Sequence, residues 1–212
     1  MPDNIHFHRR DLPEGLDFGA AVAVDTETQG LSLVRDKLCL VQLSAGDGTA
    51  HLVQLDRESY DCPNLKALLS DAGVVKIFHY ARFDVAMIRR WLGVSMTNLF
   101  CTKIASGLVR TYTDRHGLKD LTRELLSVDL SKQQQSSDWA ADQLTDAQQL
   151  YAASDVLYLH QLRTQLTARL IREHRLDIAQ SCFDFLPTRC ELDLLGFESV
   201  DIFSHGLNRN KN

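Results

Sequence analysis

The sequence has no uncharged apolar run near the roughly 20 residues that a membrane-crossing helix requires. Its first residues, MPDNIHFHRRD, also lack the apolar stretch of a secretory leader. A soluble, unexported and hence cytoplasmic protein is expected. Cysteine is sparse: Cys39, Cys62, Cys101, Cys182 and Cys190 are odd in number and include no CxxC pair. That spacing disfavours a disulfide framework and a zinc knuckle. An excess of positive charge is missing too. With 23 Lys+Arg against 28 Asp+Glu, the net charge of -5 argues against a protein that coats long nucleic acid by neutralising phosphates. Metal-based phosphate chemistry stays open, because divalent cations are the largest local charges in such a site.

What is present is 212 residues, 44% hydrophobic and 24% charged, enough for one domain with a well-buried core. We expect that domain over residues 1–205 and a polar, frayed tail over 206–212. The apolar segments 20–24 (AAVAV), 37–44 (KLCLVQLS), 50–56 (AHLVQLD) and 74–79 (VVKIFH) read as strands. The Gly/Asp turn at 45–49 joins the second and third as a hairpin, so the first three predict an antiparallel meander. Residues 64–70 are helical in pattern. Beyond strand four, Phe83, Met87 and Trp91 recur four apart up to Gly93, and the stretches 102–110, 117–128 and 145–171 carry helical periodicity. The order predicts an α/β protein with a mixed sheet, an antiparallel meander plus parallel strands, covered by helices.

Several acids stand out against this frame. Asp25 and Glu27 lie at i and i+2 where the first apolar strand ends, so both face the same side of the sheet. Like charges on one face repel unless a cation lies between them, and an all-oxygen set suits Mg²⁺ or Mn²⁺ rather than zinc. Taken alone, the pair also reads as a turn cap and a solvated acid. Asp84, where the apolar helix face begins, reads alone as a first-turn acid favoured by the helix dipole. Tyr151 and Asp155 are four apart on one helix face, and Asp155 is flanked by Ala152, Ala153, Val156 and Leu157. A carboxylate in such a stretch needs a partner or a metal.

Together these positions resemble a family. Asp-x-Glu after a strand, Asp at a later helix start and Tyr-x-x-x-Asp on a helix match the 3′-5′ exonucleases of the DEDD class, tyrosine subtype, which include ribonuclease D. Residues 102–105 (TKIA), 117–121 (GLKDL) and 132–139 (KQQQSSDW) are similar to segments that ribonuclease D carries in the same order. The compact length, the stretch 110–119 and the end of the chain look most similar to nano-RNase C, a group of short ribonuclease D relatives. The resemblance implies a ribonuclease H-like exonuclease fold and a two-metal mechanism, with two divalent cations, Mg²⁺ or Mn²⁺, held by Asp25, Glu27, Asp84 and Asp155. Tyr151 would orient the attacking water. It further implies degradation of short RNA, notably dinucleotides, with short DNA also open, by a ring-shaped homo-oligomer for which an octamer is suggested. A general exonuclease trimming longer RNA or DNA shares this chemistry, and a catalytically silent RNA-binding relative would be expected to lack one of these residues.

Other residues carry weaker signals. Leu31, four after Glu27, is where related exonucleases place an apolar wedge between bases, and it also reads as a core leucine. His79 at the end of strand four could contact a substrate phosphate or ribose, or be structural. Lys132, Gln134, Ser137 and Trp139, in a segment too polar for a core helix, are candidates to line the substrate end, with Ser137 or Asp138 alternatively capping the next helix. Lys103, Arg110, Arg115 and Lys119 could form a basic rim. The apolar residues between Phe183 and Phe203 need covering, either by the domain itself or by a neighbouring subunit.

Overall fold

A computed structural model of the protein describes residues 4–131, 134 and 136–206. Lys132 and the tail beyond residue 206 lie outside them. Six strands form one sheet: β1 (Ile5–Arg9), β2 (Ala21–Thr28), β3 (Leu38–Ser44), β4 (Ala50–Gln54), β5 (Val75–Phe78) and β6 (Leu99–Cys101), in the order β1-β4-β3-β2-β5-β6. β2, β3 and β4 pair antiparallel, as the meander predicts, while β1 joins β4 and β5 joins β2 and β6 in parallel. β3 is buried along its whole length, which explains its nearly unbroken apolar sequence.

Seven α-helices complete the described structure: α1 (Pro63–Ser70), α2 (Ala81–Leu92), α3 (Thr102–Val109), α4 (Leu118–Leu126), α5 (Asp146–Leu157), α6 (Leu159–Arg172) and α7 (Leu176–Leu192), the last running into a π-helical turn at Asp193–Phe197. α5 packs across β2, β3 and β4, and α2 packs against β2, β3, β5 and α7. Gly93 ends α2 in the left-handed region, φ 70°, where a residue without Cβ is favoured. One continuous apolar core links the sheet to the helices.

Three expectations need correcting. β2 does not end at Asp25 but runs through both acids to Thr28, because backbone pairing with β3 continues beyond the apolar residues. A register shift between Glu27 and Thr28 then marks a bulge where the strand leaves the sheet. The stretch 145–171 breaks at Tyr158, so that α5 turns Asp155 toward β2 while α6 buries Leu159, Leu162, Leu166 and Leu170. The cap of α5 is neither Ser137 nor Asp138 but Thr145, in a reciprocal box with Gln148. At the C-terminal end, Phe183, Leu186 and Cys190 pack into the protein's own core, while Leu195 and Phe203 stay exposed.

Candidate active site

The site forms where β2, α2 and α5 meet. Alternation along β2 sends Asp25 and Glu27 to one side, and α5 brings Asp155 to them, so that oxygen atoms of all three lie within 4.8 Å of one another. Thr26 points the other way, and its hydroxyl donates to Asp84 Oδ1 at 2.5 Å, holding that buried carboxylate in the first turn of α2. Asp84 lines the same cavity, of about 690 Å³, as the other three acids. Gln42, opposite Asp25 on β3, reaches Asp25 Oδ2 through Nε2 at 3.4 Å.

Among the described residues no ion pair reaches any of these acids. Burial therefore dominates their protonation. It pushes Asp25 up to about 7, and together with the charges of Asp25, Asp155 and Asp84 it pushes Glu27 up to about 10. Burial, and then the charge of Asp25, also raise Asp84 and Asp155. A half-buried, all-oxygen cluster left without an ion-paired partner among the described residues fits hard divalent cations.

Tyr151 lies one turn before Asp155, and its hydroxyl is raised by burial and by the charges of Asp155, Glu27 and Asp25. It stays a neutral phenol at physiological pH, able to donate a hydrogen bond. Its ring packs 6.1 Å from that of Trp139. Trp139 lines the cavity but is 2% exposed, a core residue supporting Tyr151 as much as a wall. The loop before α5 is pinned from below: Gln148 Nε2 donates to Asp138 O at 3.1 Å, Arg57 Nη2 to Ala140 O at 2.9 Å and Gln54 Nε2 to Ala141 O at 2.8 Å.

The remaining candidates divide. Leu31 lines the cavity and is 84% exposed, so it is not the core leucine that its sequence also allows. Ser137 lines the cavity, whereas Gln134 is outside its described lining and accepts from Ser137 Oγ at 2.6 Å. His79 lines it, with Nδ1 2.9 Å from Thr102 Oγ1. The basic rim is narrower than expected. Lys103 and Lys119 line the cavity, but Arg110 is buried, bound to Glu124, Ser106 and the Arg115 carbonyl. Sequence reasoning missed Thr26, whose role depends on α2 arriving beside it. It also missed Tyr80, held at φ 64° with its ring 4.0 Å from Lys103 Nζ on the cavity wall.

Residues 9–171 match the 3′-5′ exonuclease family. A ribonuclease D from Gluconacetobacter diazotrophicus is 37% identical over 156 residues, which cover 74% of this chain and 39% of the relative. The chain thus spans about two fifths of the length of the curated ribonuclease D relatives that it matches. Among solved structures, Brucella melitensis NrnC bound to pGG superposes with a TM-score of 0.93 at 54% identity, covering 96% of this chain and 99% of that one. The same protein with bound Mg²⁺ gives 0.92 at 53% identity, over 96% and 100%. The chain belongs to the 3′-5′ exonuclease family, in its ribonuclease D-like branch.

Proposed function

We propose that the protein is a metal-dependent 3′-5′ exoribonuclease that hydrolyses very short RNA, notably dinucleotides, to mononucleotides. The observation that carries the chemistry is the convergence of Asp25, Glu27 and Asp155 in a cavity where, among the described residues, no cationic side chain forms an ion pair with them. Two divalent cations, Mg²⁺ or Mn²⁺, would supply Lewis acidity there, for the attacking water and for the leaving oxygen. Asp25, Glu27, Asp84 and Asp155 are assigned as their ligands. Thr26 fixes the rotamer of Asp84, and Tyr151 orients the water through its phenolic hydrogen rather than by accepting a proton.

The short substrate is supported by the relative solved with pGG bound and by the exposed Leu31, which would wedge between bases at one side of the cavity. Lys103, Lys119 and Ser137 line the same cavity and would face the substrate's phosphate end, a role assigned to Lys132 as well, which lies outside the described residues. The exposed Leu195 and Phe203 supply apolar surface for self-association, consistent with a ring-shaped homo-oligomer. Cytoplasmic action is part of this reading. Among the described residues no helix is long and apolar enough to cross a membrane.

Cleavage of 5′-labelled RNA, from dinucleotides to long oligomers, tests the proposal in Mg²⁺, in EDTA and with Asp25→Ala. Dinucleotides consumed far faster than longer chains, only with metal and only with Asp25, are the expected result. A rate that stays flat or rises with length would make the protein a general 3′ trimming exonuclease and end the short-substrate assignment.

A further inference from the structure

His79 occupies the cavity wall at the end of β5, with one ring nitrogen committed to the protein and the other not. The committed side follows from which partner takes the Thr102 hydrogen. Thr102 is fully buried, and its hydroxyl donates to the Phe78 carbonyl at 3.1 Å. A hydroxyl carries one hydrogen and a carbonyl can only accept, so we assign that hydrogen to Phe78 and a lone pair to His79 Nδ1, 2.9 Å away. With that assignment Nδ1 carries the ring's hydrogen, which leaves Nε2 as a bare acceptor. Among the described residues no hydrogen bond reaches Nε2. The ring also stays neutral: burial, and then the charge of Lys103, lower it to about 3. The wall thus separates two kinds of recognition. Lys103 brings a cation suited to phosphate, and His79 beside it brings a neutral acceptor that phosphate oxygens would repel.

We propose that His79 is a specificity residue whose Nε2 accepts a hydrogen bond from a sugar hydroxyl of the substrate. The choice of a hydroxyl follows from chemistry that every ribonucleotide shares, since base donors differ in place from one base to the next. This deepens the exonuclease reading and rests on it.

The test has two parts. A long-range ¹⁵N–¹H correlation spectrum of the histidine rings reads the tautomer without turnover, and the expected pattern is a protonated Nδ1 with an unprotonated Nε2 at His79. Affinity and kcat/KM are then compared for a dinucleotide and its 2′-deoxy and 3′-deoxy analogues. The wild type should lose about tenfold on one of the analogues, whichever lacks the hydroxyl that His79 reads. His79→Asn keeps an amide near the Nδ1 position, toward Thr102, but has no acceptor at Nε2, and should lose that discrimination. His79→Gln places an oxygen near Nε2 and should restore part of it. An Nε2-protonated ring, or His79→Asn discriminating as the wild type does against both analogues, would overturn the proposal. Absence of any Mg²⁺-dependent cleavage by the wild type would instead overturn the exonuclease reading, while the affinities still decide the role of His79.

Discussion

The protein buries aspartates in two places and treats them in opposite ways. At the C-terminal end, Asp193 is surrounded by guanidinium groups: Arg82 reaches it at 2.6 and 2.8 Å, and Arg189 at 2.6 and 3.0 Å. The same arginines donate to the carbonyls of Glu198 and Phe197, so the π-helical turn is fastened to α2 through one carboxylate. In the cavity, Asp84 is as enclosed and Asp25, Glu27 and Asp155 are half-buried, but among the described residues the partners they receive are neutral, such as the Thr26 hydroxyl and the Gln42 amide. A buried acid satisfied by the protein's own cations is architecture, whereas a group of them left unsatisfied is a demand for charge from outside.

This contrast can be broken from either end. The largest expected effect is in the cavity. Asp155→Asn removes a proposed ligand from a site whose cations would supply several kcal/mol, so turnover should fall by about a thousandfold or more. Its melting temperature in EDTA should match or exceed that of the wild type, because a repelling charge is gone. Full turnover in Mg²⁺ would remove Asp155 from the site. Asp193→Ala should do the reverse. Stranding two partly buried guanidiniums costs about 3 kcal/mol in chemical denaturation, with Mg²⁺ affinity unchanged. A stability equal to the wild type would show that the clamp is ornamental.

Smaller effects sharpen the picture. Tyr151→Phe keeps the ring packed beside Trp139 and removes only the hydroxyl, so metal affinity should hold while kcat falls by about ten- to a hundredfold. An unchanged kcat would rule out the water-orienting role. The pH dependence of stability comes last. In the unfolded chain these carboxyls release protons near their ordinary values, about 4. In the metal-free fold Asp25 holds its proton up to about 7 and Glu27 up to about 10. Between those limits the folded state binds more protons, so metal-free stability falls as pH rises. A bound cation reverses that trend by favouring the ionised forms. The melting temperature gained on adding Mg²⁺ to EDTA-treated protein should therefore widen from pH 5 to pH 8, and a gain independent of pH would contradict the raised carboxyls.

Much of this was legible in the chain because it is local. β-strand alternation and helix periodicity depend on near neighbours, so the meander, α2 and the placement of Asp25, Glu27, Tyr151 and Asp155 on their elements could be read directly. β1 could not, since IHFHR is polar and becomes a strand only by parallel pairing with β4, some 45 residues away. β6 is a three-residue strand, below the length at which alternation registers. The same limit explains the site. Nothing near Arg110 in the sequence indicates that Glu124 will bury it, and nothing near Thr26 indicates Asp84. Trp139 sits in a polar segment yet ends in the core, because the loop around it is tied to Gln54, Arg57 and Gln148.

The bulge beside the end of β2, where Cys39 of β3 is the extra residue, turns strand pairing into a ruler. Asp25 and Glu27 reach α5 only because their positions are counted from Ala23 along an unbroken ladder with β3, and the extra step, on β3, comes just after the second acid. Within that span an inserted or deleted residue would exchange the acids for Val24, Thr26 or Thr28 at the cavity, inverting every face at once. Beyond the bulge the count no longer matters, and the segment leading to Leu31 is free to change length. Across relatives, the spacing between the two acids should therefore be fixed, while gaps gather on the far side of Thr28.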